Sequence, residues 1–186
     1  MSLIYLPAED SYLISKVLEN EIPRLLKKNK DLKFLEVGSG SGILLKTAEK
    51  IGIKKQNIFA LDINQKAVKH CRKLGFNCIY SNLFENVNGK FSIVVFNPPY
   101  LPQDKYDKEK DTTGGKKGSE TINKFLKQAK KHLEKNGRIF LLTSSLTKGI
   151  NWLNYHRKIL GNERLFMEKL SVWELKIKSP LFILYS

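Results

Sequence analysis

The sequence is short of the residues that build metal sites, disulfide scaffolds and membrane spans. Its two cysteines, Cys71 and Cys78, form no Cys-x-x-Cys pair, and its three histidines are scattered along the chain. We therefore expect no metal in the functional site. No run of about 18 apolar residues occurs, and the N-terminus lacks the basic start and apolar stretch of a secretory signal. These absences favour a reducing, cytoplasmic location without membrane association.

Acidic residues are scarce relative to basic ones. Asp and Glu number 18 against 33 Lys and Arg, which gives a formal net charge of +15. Such an excess indicates an acidic partner or a nucleic-acid-rich environment, but it says nothing about fold. The chain of 186 residues is 41% hydrophobic, which suits one folded domain with a sizeable core. We therefore expect a single domain over residues 1–186.

The apolar positions alternate between helical and strand spacing. Helical spacing predicts helices around residues 13–18, 67–71 and 122–133, the last with Leu133 on its apolar face. We expect a break or kink at Pro23 in the first helix and a stop at Gly75 after the second. Short apolar runs at 34–37, 58–61, 92–96 and 138–142 predict strands buried on both faces, as in a parallel sheet covered by helices. The alternation predicts an α/β doubly wound fold.

Two segments differ from this pattern. Partial alternation over 169–178, a turn at Ser179-Pro180 and an apolar run over 181–185 predict two antiparallel strands at the end of the sheet. Residues 101–117 mix both charge signs with proline and glycine and show no periodicity. A loop of that length in a small domain is functional or mobile.

A glycine loop follows the first predicted strand and opens a helix, with the sequence Glu36-Val37-Gly38-Ser39-Gly40-Ser41-Gly42. A dinucleotide fingerprint needs glycine where Ile43 stands, and the Gly-Lys-Ser/Thr of a phosphate-binding loop is absent. Asp62 closes the second predicted strand, where a carboxylate can accept both hydroxyls of a ribose. Its alternative role is a helix N-cap. The combination favours an adenosine without a pyrophosphate, as in S-adenosylmethionine.

The tetrapeptide Asn97-Pro98-Pro99-Tyr100 ends the strand predicted at 92–96. Ligand chemistry in open α/β sheets occurs beyond the carboxyl ends of strands. Because two prolines fix the backbone, the Asn97 side-chain carbonyl and the Pro98 main-chain carbonyl can accept from one planar NH₂ group. Tyr100 offers a face on which an amide or base can stack. The alternative is a rigid turn. This arrangement suits methylation of a conjugated nitrogen without a strong base.

Together these residues resemble the HemK group of class I S-adenosylmethionine-dependent methyltransferases. The segment Tyr5-Leu6-Pro7-Ala8-Glu9-Asp10-Ser11 resembles the signature of its archaeal and eukaryotic branch, and Gly114-Gly115-Lys116-Lys117-Gly118-Ser119-Glu120 resembles the branch's Gly-Gly-x-x-Gly-x-Glu. The resemblance implies a Rossmann-like, mostly parallel seven-stranded sheet with an antiparallel C-terminal strand. It also implies that residues 1–30 form a helical segment covering the cofactor site.

The activity that the resemblance implies is N5-methylation of the glutamine in the Gly-Gly-Gln loop of a class I peptide-chain release factor, with S-adenosyl-L-homocysteine as product. Asn97, Pro98, Pro99 and Tyr100 would hold the glutamine. The cofactor contacts carried over are Ser11, Glu36, Gly38, Gly40, Asp62, Ile63, Asn82, Leu83 and Asn97. Asn82 replaces the family's usual aspartate, and we expect weakened cofactor binding at most. The resemblance also implies a small zinc-binding activator subunit beside the third strand, near Cys78–Tyr80.

Two other functions stay open from the sequence. A nucleic-acid amino-methyltransferase would use the same acceptors on the exocyclic amine of adenine or guanine, and the positive charge suits it, although no stacking platform beyond Tyr100 is evident. A non-catalytic cofactor-binding scaffold is the other candidate, and the complete Asn97–Tyr100 motif argues against it. The lysines of the 122–133 helix suit a solvated face or electrostatic steering toward a release factor or ribosome.

Overall fold

Seven strands form one sheet in the computed structural model, which describes residues 4–102 and 115–178. The sheet order is β3-β2-β1-β4-β5-β7-β6. The strands are β1 Phe34–Val37, β2 Ile58–Asp62, β3 Asn77–Tyr80, β4 Phe91–Phe96, β5 Leu133–Ser144, β6 Tyr155–Arg164 and β7 Lys169–Ile177. The helices are α1 Glu9–Leu26, α2 Ile43–Ile51, α3 Gln65–Lys73 and α4 Glu120–Ala129, with a 3₁₀ turn at Lys55–Asn57.

The parallel part of the sheet runs from β3 to β5, with β1 between β2 and β4. Every residue of β1 and β4 is buried, as expected for strands covered by helices on both faces. The predicted strands at 34–37, 58–61, 92–96 and 138–142 are therefore confirmed, and so is the α/β class. The carboxyl ends of β1, β2 and β4 meet at one edge of the sheet.

Helices cover both faces of the sheet and enclose two hydrophobic clusters. The cluster on one face joins α1, α2 and α3 to side chains such as Phe34 and Val95. The cluster on the other face joins α4 to their strand neighbours Leu35 and Val94. Among residues 4–102 and 115–178, no helix combines the length and apolar composition that a bilayer crossing requires.

Two helix predictions need correction. Of the break or kink expected at Pro23, the break is wrong: the first helix continues to Leu26, because Leu25 and Leu26 beyond the proline pack against the core. The last helix ends at Ala129, and Leu133 instead opens β5, where it pairs with Phe91. An apolar residue four positions after Ala129 fits a helical face and a following strand equally well, so the spacing alone misassigned it.

The C-terminal strands are confirmed in part. β7 is antiparallel to β5 as predicted, whereas the turn at Ser179-Pro180 and the 181–185 run lie outside the described residues. The described partner on its far side is β6, which the sequence did not reveal. β6 is a largely exposed edge strand whose pairing shifts between Ile159 and Gly161, so it lacks clean alternation. A Cβ on Gly161 would lie 2.8 Å from Val17 Cγ2, which shows how closely α1 approaches this strand.

Candidate functional site

A cavity of about 290 Å³ opens at the carboxyl edge, where β1, β2 and β4 end. The glycine loop forms one wall, the start of α1 forms another, and the segment after β4 forms a third. The lining residues used below are Tyr5, Asp10, Ser11, Glu36, Gly38, Gly40, Asp62, Ile63, Asn97, Pro98, Pro99 and Tyr100. A volume of this order is near the lower end of small-molecule pockets, roughly 300–1,000 Å³.

The glycine loop is attached to the end of β2 by its backbone. The N–H groups of Gly38 and Ser39 both donate to the Leu61 carbonyl, at 2.8 and 3.1 Å. Gly38 and Gly40 have φ angles of +72° and +46°, which side-chain-bearing residues rarely adopt. The loop therefore turns tightly enough to leave the cavity open above its main chain.

Asp62 holds the glycine loop to the start of α3. One carboxylate oxygen accepts from the Gly40 N–H at 2.8 Å, and the other accepts from the Asn64 N–H at 2.7 Å. The N-cap of α3 is Asn64, whose side chain accepts from the Lys66 N–H, so the N-cap alternative for Asp62 is wrong. Asp62 also lines the cavity, and a carboxylate oxygen can accept more than one hydrogen bond.

Glu36 is a buried carboxyl group at the base of the cavity, only 2% exposed. Its Oε2 atom has no hydrogen-bond partner among the described residues. Burial raises the pKa of Glu36 well above its ordinary value, and the nearby Cys71 and Asp62 add to the rise. An acceptor that is buried, lacks a donor and faces a cavity is well suited to a cationic or hydrogen-bond-donating ligand.

The Asn97–Tyr100 segment leaves β4 at the opposite wall. The Asn97 Oδ1 atom is buried and has no hydrogen-bond partner in the described chain. The segment's backbone is fixed downstream, because the Thr147 hydroxyl donates to the Tyr100 carbonyl at 2.8 Å. The structure therefore presents the Asn97 carbonyl as a rigid, unsatisfied acceptor at the cavity.

The N-terminal signature also reaches the cavity, through residues whose roles the sequence did not reveal. The Tyr5 hydroxyl donates to Asp10 Oδ2 at 2.9 Å, and the Tyr100 hydroxyl points to the same oxygen at 3.5 Å. Asp10 Oδ1 accepts from the Ser11 N–H and hydroxyl. Burial, reinforced by the Asp10 charge, raises the pKa of both tyrosines, so the phenols stay protonated as donors. Asp10 thus binds Tyr5 firmly and reaches the Asn97–Tyr100 segment through a long contact with Tyr100.

The Gly-Gly-x-x-Gly-x-Glu segment supports that wall from outside. The Glu120 carboxylate accepts from the Lys117 and Ser119 N–H groups, which closes the turn before α4. A Cβ on Gly118, whose φ is +77°, would lie 2.3 Å from the Tyr100 carbonyl oxygen. Glycine at this position therefore lets the turn pack directly on the Tyr100 backbone. Gly114, the first residue of the motif, lies outside the described residues.

Most of the predicted site residues meet at this cavity, but two do not. Asn82 and Leu83 follow β3 and are absent from its described lining. The Asn82 Nδ2 donates to Glu85 at 2.7 Å. The side-chain carbonyl oxygen of Asn82 is therefore the group suited to accept from the adenine amine. Leu83 has a φ of +52°, and its carbonyl accepts from the Ser81 hydroxyl at 2.7 Å. Their adenine contacts stay predictions.

Comparison with known proteins assigns the chain to a family. The family described as "Methyltransferase small domain" matches residues 15–161. The chain belongs to this methyltransferase family. A Methanocaldococcus jannaschii protein, MJ0928, provisionally named a protein N5-glutamine methyltransferase, is 39% identical over 156 residues, covering 77% of this chain and 74% of that protein.

One further relative and one solved structure are also similar to this chain. The release factor glutamine methyltransferase of Aquifex aeolicus is 33% identical over 151 residues, 72% of this chain but only 52% of that protein. The E. cuniculi Mtq2-Trm112 complex, described as responsible for methylation of the termination factor eRF1, matches with a TM-score of 0.71 at 22% identity. That match covers 94% of this chain and 98% of the solved chain. It confirms the class I methyltransferase fold of the present methyltransferase.

Proposed function

We propose that this methyltransferase uses S-adenosylmethionine to methylate N5 of the glutamine in the Gly-Gly-Gln loop of a class I release factor. The observation that carries the proposal is the buried Asn97 Oδ1 atom, which lacks a donor and lines the cavity at the end of β4. A glutamine side chain offers the NH₂ group that this acceptor requires. The names of the Methanocaldococcus and Aquifex relatives describe the same reaction class.

The residues around the cavity fit S-adenosylmethionine. Glu36 provides an unpartnered carboxylate oxygen for the cationic amino group, and Asp62 provides acceptors for ribose hydroxyls. The glycine loop leaves its backbone open to the ligand, and Ile63, 62% exposed, adds an apolar surface at the rim. Ser11 stands on the α1 wall. A role for residues 1–30 as a cover over the cofactor is part of the proposal.

The chemistry depends on holding one nitrogen in place. S-adenosylmethionine, when bound, supplies a methyl group attached to a positively charged sulfur. The Asn97 Oδ1 and the Pro98 carbonyl accept the two N–H bonds of the substrate amide, which favours positive charge on nitrogen. Pro98 and Pro99 fix both acceptors, and the Tyr100 ring stacks on the amide plane. No strong general base is required, because rigid acceptors and alignment lower the barrier.

The surface beside the cavity suits a protein substrate. The turn between β6 and β7 lies at the carboxyl edge, because β7 runs antiparallel to β5 and starts there. Its residues Phe166 and Met167 are 100% and 76% exposed. Adjacent large apolar side chains left in water indicate a macromolecular contact rather than a free amino acid.

We propose a small partner subunit at the opposite edge of the sheet. β3 is the edge strand there, and its Ile79 and Tyr80 side chains are substantially exposed. Two edge carbonyls are already occupied, because Arg72 Nε donates to the Cys78 carbonyl at 2.7 Å and Asn86 Nδ2 donates to the Tyr80 carbonyl at 3.1 Å. A partner strand that pairs here must displace both side chains. That the partner binds zinc follows from the resemblance alone.

Mass spectrometry of a release factor after co-expression tests the reaction directly. We expect a gain of one methyl group on the glutamine of the Gly-Gly-Gln loop with the wild-type enzyme, and none with Asn97→Ala. Absence of the modification when both proteins, and a candidate activator, are present and folded contradicts the proposal.

A labelling assay separates the nucleic-acid alternative. Purified enzyme is incubated with methyl-labelled S-adenosylmethionine and equal amounts of release factor or total RNA, at low and high salt. We expect label in the release factor alone. Label confined to RNA would replace the proposed substrate with an exocyclic amine of a base, while leaving the acceptor mechanism intact.

A further inference from the structure

The hydrogen-bonding arrangement around Tyr100 leaves one acceptor unused. Tyr5 and Tyr100 both point to a single oxygen, Asp10 Oδ2, and only the 2.9 Å contact from Tyr5 is an ordinary hydrogen bond. The Tyr100 contact, at 3.5 Å, is at the limit of the interaction. The other Asp10 oxygen is occupied by Ser11. The Tyr100 hydroxyl is therefore poorly satisfied in this state.

A second carboxyl group, that of Glu168, acts on the two phenols through its charge. Glu168 is the last residue of the β6–β7 turn, and the two phenols are those of Tyr5 and Tyr100. Its Oε2 atom is buried and has no hydrogen-bond partner among the described residues. The structure thus contains a phenol with a long hydrogen bond and a buried carboxyl oxygen with none, both at the carboxyl edge of the sheet.

Contacts of the backbone keep Glu168 near Tyr100. The Tyr100 carbonyl accepts a hydrogen bond from the hydroxyl of Thr147, which lies three residues beyond the end of β5. The adjoining residue pair Ser145 and Lys169 exchanges two hydrogen bonds, from the Ser145 N–H to the Lys169 carbonyl and from the Lys169 N–H to the Ser145 hydroxyl. Glu168 immediately precedes Lys169, so the segment that follows β5 contacts both the Tyr100 carbonyl and the residue next to Glu168.

We propose that Glu168 is a positioning residue for Tyr100: when the substrate amide occupies the site, the Tyr100 hydroxyl transfers its hydrogen bond from Asp10 to Glu168 Oε2. This movement sets the tilt of the Tyr100 ring over the amide. Tyr5 then keeps Asp10 Oδ2 to itself, so each phenol gains an acceptor of its own. The inference rests on the proposed function, because it requires a planar amide at Tyr100.

The test compares Glu168→Ala, Glu168→Gln and Tyr100→Phe, together with the Tyr100→Phe/Glu168→Ala double variant. Measured quantities are kcat/KM for the release factor and the Kd of the release factor in the presence of S-adenosylhomocysteine. Glu163→Gln, an exposed carboxylate on the neighbouring β6, is the matched control. Thermal unfolding and cofactor affinity report on folding, and Glu168→Leu, which fills the same space without an acceptor, replaces Glu168→Ala if that variant does not fold.

We expect Glu168→Ala to lower kcat/KM about ten-fold or more, the effect of losing a hydrogen bond to a charged acceptor. Glu168→Gln keeps a carbonyl acceptor and should restore most of the loss. In the Tyr100→Phe background, removing Glu168 should have less than about a two-fold further effect, since coupled residues are not additive. Cofactor affinity should be unchanged throughout.

If the wild-type enzyme methylates release factor, three results would overturn the inference. The first is an unchanged kcat/KM in Glu168→Ala, and the second is a loss in Glu168→Gln equal to that in Glu168→Ala. The third is a full loss of the remaining activity when Glu168→Ala is added to Tyr100→Phe. A wild-type enzyme that is folded, binds S-adenosylmethionine and leaves release factor unmodified would instead overturn the proposed function. The two failures are thus distinguishable.

Discussion

Replacing Glu36 by glutamine should stabilise the ligand-free protein and weaken its binding of S-adenosylmethionine. Glu36 is buried, one of its oxygens has no donor, and its pKa lies well above the ordinary value of 4.5. A raised pKa means that the folded state resists ionisation, chiefly because burial removes water from the carboxylate. Glutamine has the same shape without that cost, and its carbonyl can still accept the hydrogen bond from the Leu45 N–H.

The sign and size of the stability change on replacing Glu36 follow from proton linkage. Below pH 4.5 the carboxyl is protonated in both folded and unfolded states, so it costs nothing. As the pH rises, the unfolded state ionises first, and folding stability falls until the pH passes the folded-state pKa. Each unit by which the folded pKa exceeds the ordinary one corresponds to about 1.4 kcal/mol. For a chain of this length that is about 3–6 °C in the unfolding midpoint per unit.

The assay is thermal unfolding of wild type and Glu36→Gln between pH 4.5 and 8, with and without S-adenosylmethionine. The variant should unfold at a higher temperature at pH 8, and the difference should shrink as the pH falls toward 4.5. The ligand-induced rise in midpoint should be smaller in the variant, because the carboxylate that we propose as the partner of the cationic amino group is gone. Glu19→Gln, whose exposed carboxylate pairs with Lys50, is the control and should show neither effect. A variant no more stable than wild type at pH 8 would refute the reasoning.

Four further substitutions probe separate parts of the enzyme. Asn97→Ala should reduce kcat by about 10²-fold or more while the Kd of S-adenosylmethionine, measured by calorimetry, changes little. Asp62→Asn should weaken that Kd about ten-fold or more by removing a charged acceptor. Gly118→Ala should cost about 1–3 kcal/mol in chemical unfolding and lower kcat, because it forces a Cβ against the Tyr100 carbonyl in a left-handed conformation. Ile79→Lys should abolish co-purification of a partner subunit while leaving the cofactor Kd unchanged.

Two of these substitutions have a matched comparison. Asn97→Asp retains the acceptor oxygen and should keep more activity than Asn97→Ala. Leu153→Lys changes a 73% exposed residue at the opposite end of the sheet and should leave partner binding intact. If Asn97→Ala turned over normally, or if Leu153→Lys lost the partner as completely as Ile79→Lys, the corresponding assignment would be wrong.

The central strands could be predicted from sequence because their buried environment selects apolar side chains at every position. β1 and β4 are buried on both faces, so each reads as an unbroken apolar run. β6 is an exposed edge strand with a shifted register, and much of its order comes from pairing with β7 and contact with α1. The contact with α1 is distant in sequence, and the register shift interrupts the alternation, so local spacing carries little trace of this strand. The proline at position 23 misled for the same reason, because packing of the residues beyond it outweighs its local effect.

In the site, too, some features could be predicted from local sequence and others depend on distant contacts. Asp62 and Asn97 end strands that the sequence predicts, so their meeting at one sheet edge could be anticipated from topology alone. The link from Asp10 to Tyr5 and Tyr100 could not, because it joins residues up to 90 positions apart. Asn82 and Leu83 were assigned by resemblance, and the described cavity does not include them. Residue pattern thus finds the individual acceptors, whereas the contacts that orient them require the structure.

The distribution of unsatisfied polar atoms argues that this edge of the sheet is built for ligands. Over residues 4–102 and 115–178, the buried side-chain oxygens without a partner belong to Glu36, Asn97 and Glu168. Two line the cavity, and the charge of the third reaches both of its tyrosines. Leaving a buried acceptor unpaired costs about 1–3 kcal/mol, so chance would not gather all of them in one place. Because ligands that fill such acceptors bind only the folded state, cofactor and substrate together should raise the unfolding midpoint more than either does alone.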